Sequence, residues 1–479
     1  MTTLHALAAR HGVWRFFEMI CATPHPSGHE EKLAALLINE AEKAGLSVKT
    51  DDFGNVRIDR KASPGYENSP CIIFQAHLDM VPQKLPGSDF DFLKDPLKVQ
   101  VTGNKIHCGG ETTLGADDGI GVALAMDLLT DKELQCGPLA ALFTREEEIG
   151  LNGARKVSRE FLQGAYLVNL DSGCDSCFYA GCAGGVENYG IFTPEYVAAP
   201  AGKGYKIEVT GLAGGHSGAD IHLKRGNAHK FMAALLARLE NIFAVNTLAG
   251  GSVVNAISRE SAATGILTGT DDELESRIKS VAEELKKSFN STENFGFVLT
   301  EIPAPEKVWS SRFQQDFLTM LNTLPDGVFE FSQELDSVCT SCNLGVIVPL
   351  EDGKIKVGCH PRAFDDLRWQ AVSGSNEKHF LRFGGTFEAH SPYPGWKFNP
   401  GSKLLKAAQK VCQKIYGAPL PVRAIHAGLE PGIFTAQAPE LEMLSFAPAD
   451  HHCHTTEEYL EIDSTEKVAV WLRELVKEF

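Results

Sequence analysis

The sequence contains no run of roughly 18 apolar residues, the length that a membrane-spanning helix requires. Its opening, MTTLHALAARHGVWRFFEMI, lacks the charged segment followed by an apolar one that marks a secretory leader. A basic excess is missing too: 62 acidic residues stand against 45 basic ones, a formal charge of −17. That balance argues against nucleic acid or an anionic membrane as the main partner. There is no phosphate-cradling glycine loop and no dinucleotide fingerprint, and GHSG at 215–218 lacks the x-Ser-x-Gly context of a nucleophile elbow. The 12 cysteines are scattered through 479 residues. Without a leader they read as reduced thiols of a cytoplasmic protein rather than as a disulfide framework. Cys174/Cys177 and Cys339/Cys342 form two Cys-x-x-Cys pairs, but they stand too far apart for the two knuckles of a zinc ribbon and read as chance spacing.

With 43% hydrophobic residues, the chain can bury a sizeable core and is expected to divide into two or three domains. In the first half, helix and strand patterns alternate. Ser27 and Glu30 have the spacing of a capping box, followed by Leu33, Leu36, Leu37, Ala41 and Ala44 at helical intervals. The runs NVRID, CIIFQA, PLAALF and AYLVNL read as strands, and DDGIGVALAMDLLTD as an apolar helix opening after an acidic pair. Alternation of this kind, with strands apolar on both faces, predicts a mostly parallel α/β sheet covered on both sides.

From about Gly185 the texture changes. GYKIEVTGLAGGHSG, GSVVNAISRE, SAATGILTG and NFGFVLTEI read as strands, with helical stretches between them, and a similar texture returns later, as an internal duplication would produce. Helix-rich α/β sequence restarts at SPYPGWKFNPGSKLLKAAQKV. The divisions expected are 1–185, 186–384 and 385–479, the first and last being parts of one domain.

Sites in parallel α/β sheets are built where strands end, and here those ends carry acids and histidines. In order they are His77 and Asp79 in QAHLDM, Asp117 and Asp118 in GADDGIG, Glu146, Glu147 and Glu148 in TREEEIG, Asp171 in NLDSG, and His454 in HHCHTTEE. His77 and Asp79, two apart, share one face of an extended strand. Taken singly, each acid reads as a solvated charge, Asp118 equally as a helix cap, and His451 and His452 compete with His454. Jointly, imidazole and carboxylate donors suit a pair of divalent cations, zinc or its first-row neighbours.

HLDM, GADDGIG, TREEEIG, NLDSG, GLAGGHSGADIHLKRGNA and CHTTEE, in this order, resemble the di-zinc metallopeptidases that include glutamate carboxypeptidase, aminoacylases and carnosinases. GGHSG followed by DIH and RGNA points to the aminoacyl-histidine (Xaa-His) dipeptidase branch. The resemblance spans nearly the whole chain. It implies a zinc-peptidase-type catalytic domain, with a mixed, mostly parallel sheet between helices, and an inserted α+β lid or dimerisation domain. It further implies two metal ions, zinc first and cobalt or manganese as alternatives. His77 and Asp171 would serve one metal, Glu148 and His454 the other, and Asp117 would bridge them, followed by a cis peptide. Asp79 would orient the His77 ring, and Glu147 would be the general base.

The same resemblance makes His216 the lid histidine that donates to the oxyanion in a partner subunit, hence a homodimer. It makes Asn255 and Arg362 candidates for the substrate's carboxyl end, with an Arg fork suited to a carboxylate. Gly428 would let backbone approach the substrate, and Glu430 would recognise a free amine, in a pocket whose shape Pro431 alters. The expected activity is hydrolysis of small unblocked dipeptides. A deacylase or carboxypeptidase of the same clan shares every ligand, and a silent metal-binding scaffold would lack any need for Glu147.

Overall fold

The computed structural model describes residues 3–288 and 293–479. The chain forms two compact units. One comprises the residues up to Gly181 together with Trp396–Ala424 and Leu429–Phe479; the other comprises Cys182–Gly395 and Ile425–Gly428.

The first unit is built on an eight-stranded sheet in the order Ser47–Thr50, Val56–Arg60, Leu139–Thr144, Ile72–His77, Tyr166–Asn169, Glu442–Ser445, Phe178–Cys182, Val422–Ile425. Its four central strands, from Leu139–Thr144 to Glu442–Ser445, run parallel, and strands on either side are antiparallel. Every residue of Ile72–His77 and Leu139–Thr144 is buried, as the unbroken apolar runs require of strands covered on both faces. The helix Ala116–Thr130 is buried nearly all round. It meets the helix Gly12–Cys21 closely enough that a side chain at Gly119 would lie 3.2 Å from Ile20 Cγ2. Because His77 is level with Thr144, Gln75 with Asn169 and Asn169 with Ser445, the parallel strands end along one edge. A small antiparallel sheet, Asp450–His451, Tyr459–Glu461, Lys105–His107, Gln100–Thr102, anchors the loop that carries His454.

One local expectation is corrected. Ser27 does not cap the helix that begins at Glu31; its hydroxyl donates to Asp79 Oδ2 at 2.8 Å, and the N-cap residue Glu30 makes no side-chain cap bond. Glu30 instead accepts from Gly28 N–H and pairs with Arg145. A tertiary partner outcompetes the local one. Leu33, Leu37 and Ala41 are buried as the periodicity predicts.

The second unit contains a nine-stranded sheet in the order Gly296–Ile302, Lys203–Thr210, Ser261–Leu267, Phe243–Gly250, Ser337–Pro349, Ile355–Ala363, Gly184–Phe192, Thr386–Tyr393, with Gly327–Ser332 pairing beside Ser337–Pro349. It consists of two βαββαβ halves. In one, Lys203–Thr210, the helix Ala228–Arg238, Phe243–Gly250, Ser261–Leu267, the helix Asp271–Ser288 and Gly296–Ile302 follow in turn. In the other, Gly184–Phe192, the helix Ser311–Thr323, Ser337–Pro349, Ile355–Ala363, the helix Asp366–Arg382 and Thr386–Tyr393 do the same. The halves join where Gly250 pairs with Ile347, and the first is inserted after the opening strand of the second. GSVVNAISRE yields only the two-residue strand Ala256–Ile257. The full strand Phe243–Gly250 escapes sequence reading because a register shift between Val245 and Thr247 breaks its alternation.

Candidate metal centre and active site

The buried strand Ile72–His77 ends at the site, in His77-Leu-Asp79. His77 Nδ1 donates to the Asp79 carbonyl at 2.9 Å, while its Nε2 faces Asp117 Oδ1 at 3.0 Å and Asp171 Oδ1 at 3.8 Å. The Asp79 carboxylate is more distant from the ring, 3.5 Å at Oδ1. Its main partners are the backbone N–H groups of Glu147 (Oδ1, 2.9 Å) and Glu148 (Oδ2, 3.2 Å) and the Ser27 hydroxyl. Residue 79 therefore orients the ring chiefly through its backbone and fixes the acidic turn through its side chain. Burial opposes ionisation of Asp79, but His77, the Glu147 amide and Ser27 hold its carboxyl down at about 2.

Asp117 and Asp118 are joined by a cis peptide. Asp117 Oδ1 faces His77 and Oδ2 faces His454 Nε2 at 3.1 Å, so one carboxylate spans both imidazoles. Asp118 turns away from this pair. Its Oδ1 accepts from Gly121 N–H and its Oδ2 from His77 N–H, both at 3.2 Å, so it caps the helix and pins the strand end. Of the three neighbouring histidines, His454 alone belongs to the metal-capable groups found among the described residues. His451 pairs with Glu461.

Those groups are His77, Asp117 and Asp171; His77, Glu147 and Glu148; and Asp117, Glu148 and His454, with one ligand atom per residue and all such atoms in a group within 4.8 Å of one another. Glu146 adopts φ of 53° and accepts from Asn152 instead. A cavity of about 120 Å³ lies against Asp117, Asp118, Asp171 and Asp450.

The residues fit divalent cations. Burial, and then the neighbouring Asp117, push the Asp171 carboxyl well above the usual range; burial pushes Glu147 up as well, with Glu148, Glu430 and Asp117 adding to it. Burial would lower His77, but Asp117 and Asp79 outweigh it and raise the ring well above its ordinary value. Hydrogen bonds to Asp117 and Glu148 raise His454 to about 10. Crowded carboxylates that bind protons this strongly are short of positive charge, which cations would supply. Glu148 Oε1 is buried and faces His454 Nε2 at 2.7 Å. With the ring neutral, both atoms can donate to a cation.

The remaining candidates divide between the units. Glu430, in the first, does not stand at a surface where it could meet a substrate amine. It is 0% exposed, and burial raises its carboxyl to about 7 against the hydrogen bonds that its Oε2 accepts from Thr144 and Gln75. Pro431 follows it within the short helix Glu430–Thr435. In the second unit, His216 pairs across Gly215–His216 with Ala256–Ile257, beside Asn255, whose carbonyl accepts from Ser217 N–H. His216 Nδ1 accepts from the Gly218 and Ala219 amides at 3.2 and 3.0 Å, which leaves the ring proton on Nε2. Burial and then Arg362 lower its pKa, so the ring is a neutral donor. Arg362 is buried and bonded to Tyr393 and Ser217, and its Nε has no partner among the described residues. Gly428 closes the segment Ile425–Gly428.

Sequence reading missed Ser27 and also Glu458, whose carboxylate lies beneath the Asp117 segment. Nothing in TTEEY distinguishes buried Glu458 from exposed Glu457.

The cytosol non-specific dipeptidase of Escherichia coli is 34% identical over 472 residues, covering 97% of each chain. The crystal structure of an aminoacylhistidine dipeptidase from Vibrio alginolyticus superposes with a TM-score of 0.89 at 36% identity, over 98% of this chain and 96% of that one. A tripeptidase from Staphylococcus aureus shares the fold at a TM-score of 0.55 and 16% identity, over 98% and 97% of the two chains. Residues 73–478 match the sequence pattern of a single peptidase family. With that match and a relative this similar along nearly its whole length, the chain belongs to Peptidase family M20/M25/M40.

Proposed function

We propose that this protein is a metal-dependent dipeptidase that hydrolyses small unblocked dipeptides, Xaa-His among them. The observation that carries the reading is the Asp117 carboxylate, which faces His77 with one oxygen and His454 with the other. The substrate class is supported by the names of the E. coli and Vibrio relatives, and the first of these also supports a cytoplasmic location.

His77 and Asp171 would hold one ion, Glu148 and His454 the other, and Asp117 both. Zinc fits these nitrogen and oxygen donors best, with cobalt or manganese able to replace it. Such ions supply Lewis-acid polarisation of the scissile carbonyl and a water acidic enough to attack at neutral pH.

Glu147 is the general base. Buried beside Glu148, it accepts the proton of the attacking water and returns it to the departing amine. Asp79 holds the amides of Glu147 and Glu148 side by side, so that neighbouring side chains take different tasks. His216, with its proton on Nε2, donates to the developing oxyanion in the active site of a partner subunit, which makes the working form a homodimer. Arg362 and Asn255 receive the substrate carboxylate, and Gly428 offers backbone to the substrate.

The test is a panel of free dipeptides, several of them Xaa-His, assayed beside their N-acetylated counterparts with zinc-loaded and chelated protein and with Glu147→Ala. Metal-dependent cleavage of the free dipeptides alone, reduced about 10²–10⁴-fold in the variant, is the expected result. Cleavage of N-acyl substrates alone would make the protein a deacylase; no turnover despite bound metal would make it a silent scaffold.

A further inference from the structure

We infer that Glu458 is a positioning residue for the metal centre: its carboxylate locks the segment that presents Asp117 to the loop that presents His454. The inference rests on the metal-binding reading above.

Three consecutive amides point at one side chain. Glu458 Oε2 accepts from Leu114 N–H at 2.7 Å and from Gly115 N–H at 3.1 Å, and Oε1 accepts from Ala116 N–H at 2.8 Å. Asp117 is the next residue. Glu458 is 2% exposed, so these bonds are made away from water, where a carboxylate with several N–H donors is held most firmly. Gly115 has φ of 66°, and a side chain there would come within 2.9 Å of Met80 Sδ. The 114–116 segment is thus pressed between Met80 and Glu458 and cannot swing without breaking one contact or the other.

Glu458 stands four residues after His454. The turn between them is made by Thr455 N–H donating to the His452 carbonyl and Glu458 N–H donating to the Thr455 carbonyl. His452 and His454 both adopt left-handed φ, 57° and 65°, a conformation that non-glycine residues keep only where surrounding contacts impose it. The Glu458 bonds tie the end of this turn to Leu114–Ala116. Since Asp117 faces both imidazoles, one side chain sets the positions of the shared carboxylate and of one histidine relative to each other.

A purely structural role would give Glu458 the character of Glu442. The latter's Oε2 likewise accepts three donors, Lys403 N–H, Leu404 N–H and the Ser402 hydroxyl, at the start of the helix Lys403–Ile415, but the segment it holds adjoins no residue of the metal-capable groups. It is a control for the loss of three hydrogen bonds at a helix start.

Metal-free wild type, Glu458→Gln, Glu458→Asp and Glu442→Gln are titrated with Co²⁺, reading affinity and the visible absorption of the bound ion. Expected are an affinity about 10–100-fold weaker and an altered spectrum for Glu458→Gln, an intermediate loss for Glu458→Asp, and wild-type values for Glu442→Gln. If wild type itself binds no Co²⁺, the metal reading fails. If wild type binds and Glu458→Gln matches it in affinity and spectrum, or if Glu442→Gln loses as much, the positioning role is overturned. Should the Glu458 variants not fold, amide exchange in wild type decides: Leu114, Gly115 and Ala116 protected without Co²⁺ supports the inference, and free exchange there overturns it.

Discussion

At the scale of single residues, the site is governed by which atom of a side chain or backbone meets which partner. Asp79 illustrates this, because its carbonyl holds the His77 ring while its carboxylate gathers the Glu147 and Glu148 amides. In Asp79→Asn one oxygen becomes an N–H₂ group facing a donor, so kcat should fall about 10–100-fold. Ser27→Ala, which removes a single neutral partner of the same carboxylate, should change kcat by less than about threefold, in keeping with the loss of one hydrogen bond. Steady-state rates with measured metal content check both; an Asp79→Asn enzyme as active as wild type would refute the role. Protons provide a second residue-scale prediction. His454, raised to about 10, and His77, raised well above its ordinary value, bind protons at neutral pH when no metal competes. Metal ligation needs the neutral rings, so ion uptake should release protons, and apparent affinity should rise with pH until about 10, where His454 deprotonates by itself. Calorimetric titrations in buffers of different ionisation enthalpy would show this as a buffer-dependent heat; a buffer-independent heat at pH 7.5 would contradict it.

At the scale of elements, the helix Ala116–Thr130 has to begin within van der Waals reach of the strand end at His77. An added Cβ at Gly121 would lie 2.2 Å from Asp118 Oδ1, and Asp118 is the residue that both caps this helix and accepts from His77 N–H. Gly121→Ala should therefore cost about 1 kcal/mol or more of stability through the lost cap and lower metal retention as well. Gly119→Ala meets Ile20 Cγ2 at 3.2 Å and Phe17 Cε2 at 3.6 Å, both side-chain atoms. There the strain is offset by helix propensity worth up to about 1 kcal/mol, so metal retention should be unchanged. Denaturation curves and metal analysis of the two variants are the check, and equal behaviour would remove the special status of Asp118.

For the whole molecule, the proposed ligands His77, Asp117, Glu148, Asp171 and His454 come from five separate places along the chain. An unfolded chain cannot gather them, so bound ion should stabilise the first unit. At a free concentration one hundred times Kd the gain is about 2.7 kcal/mol. Scanning calorimetry with zinc and with chelator should show a higher unfolding temperature with zinc; coincident transitions would argue against a preformed metal centre. The second unit has another large-scale logic. Two βαββαβ halves meet through Phe243–Gly250 and Ser337–Pro349 to make one sheet, one half carried inside the chain of the other.

The sequence by itself determined the alternation of buried strands and helices in the first unit, and it marked the polar strand ends. Apolar runs and helical spacing are local patterns, and His, Asp and Glu stand out against them. HLD, GADDGIG, TREEE and NLDSG were legible for that reason, as was the repetition of strand and helix texture in the middle of the chain. Tertiary structure alone decided the rest, since hydrogen bonds between distant residues leave no local trace. Ser27 left its expected cap for Asp79, fifty-two positions away, and Glu430 went into the interior beside Gln75 and Thr144. His454 was selected over His451 and His452 by facing Asp117 and Glu148. Glu458 found its amides more than three hundred positions back in the chain, at Leu114 to Ala116. Which residues carry charge can be read from their order; which of them meet depends on the level at which the parallel strands end and on what burial forces each carboxylate to find.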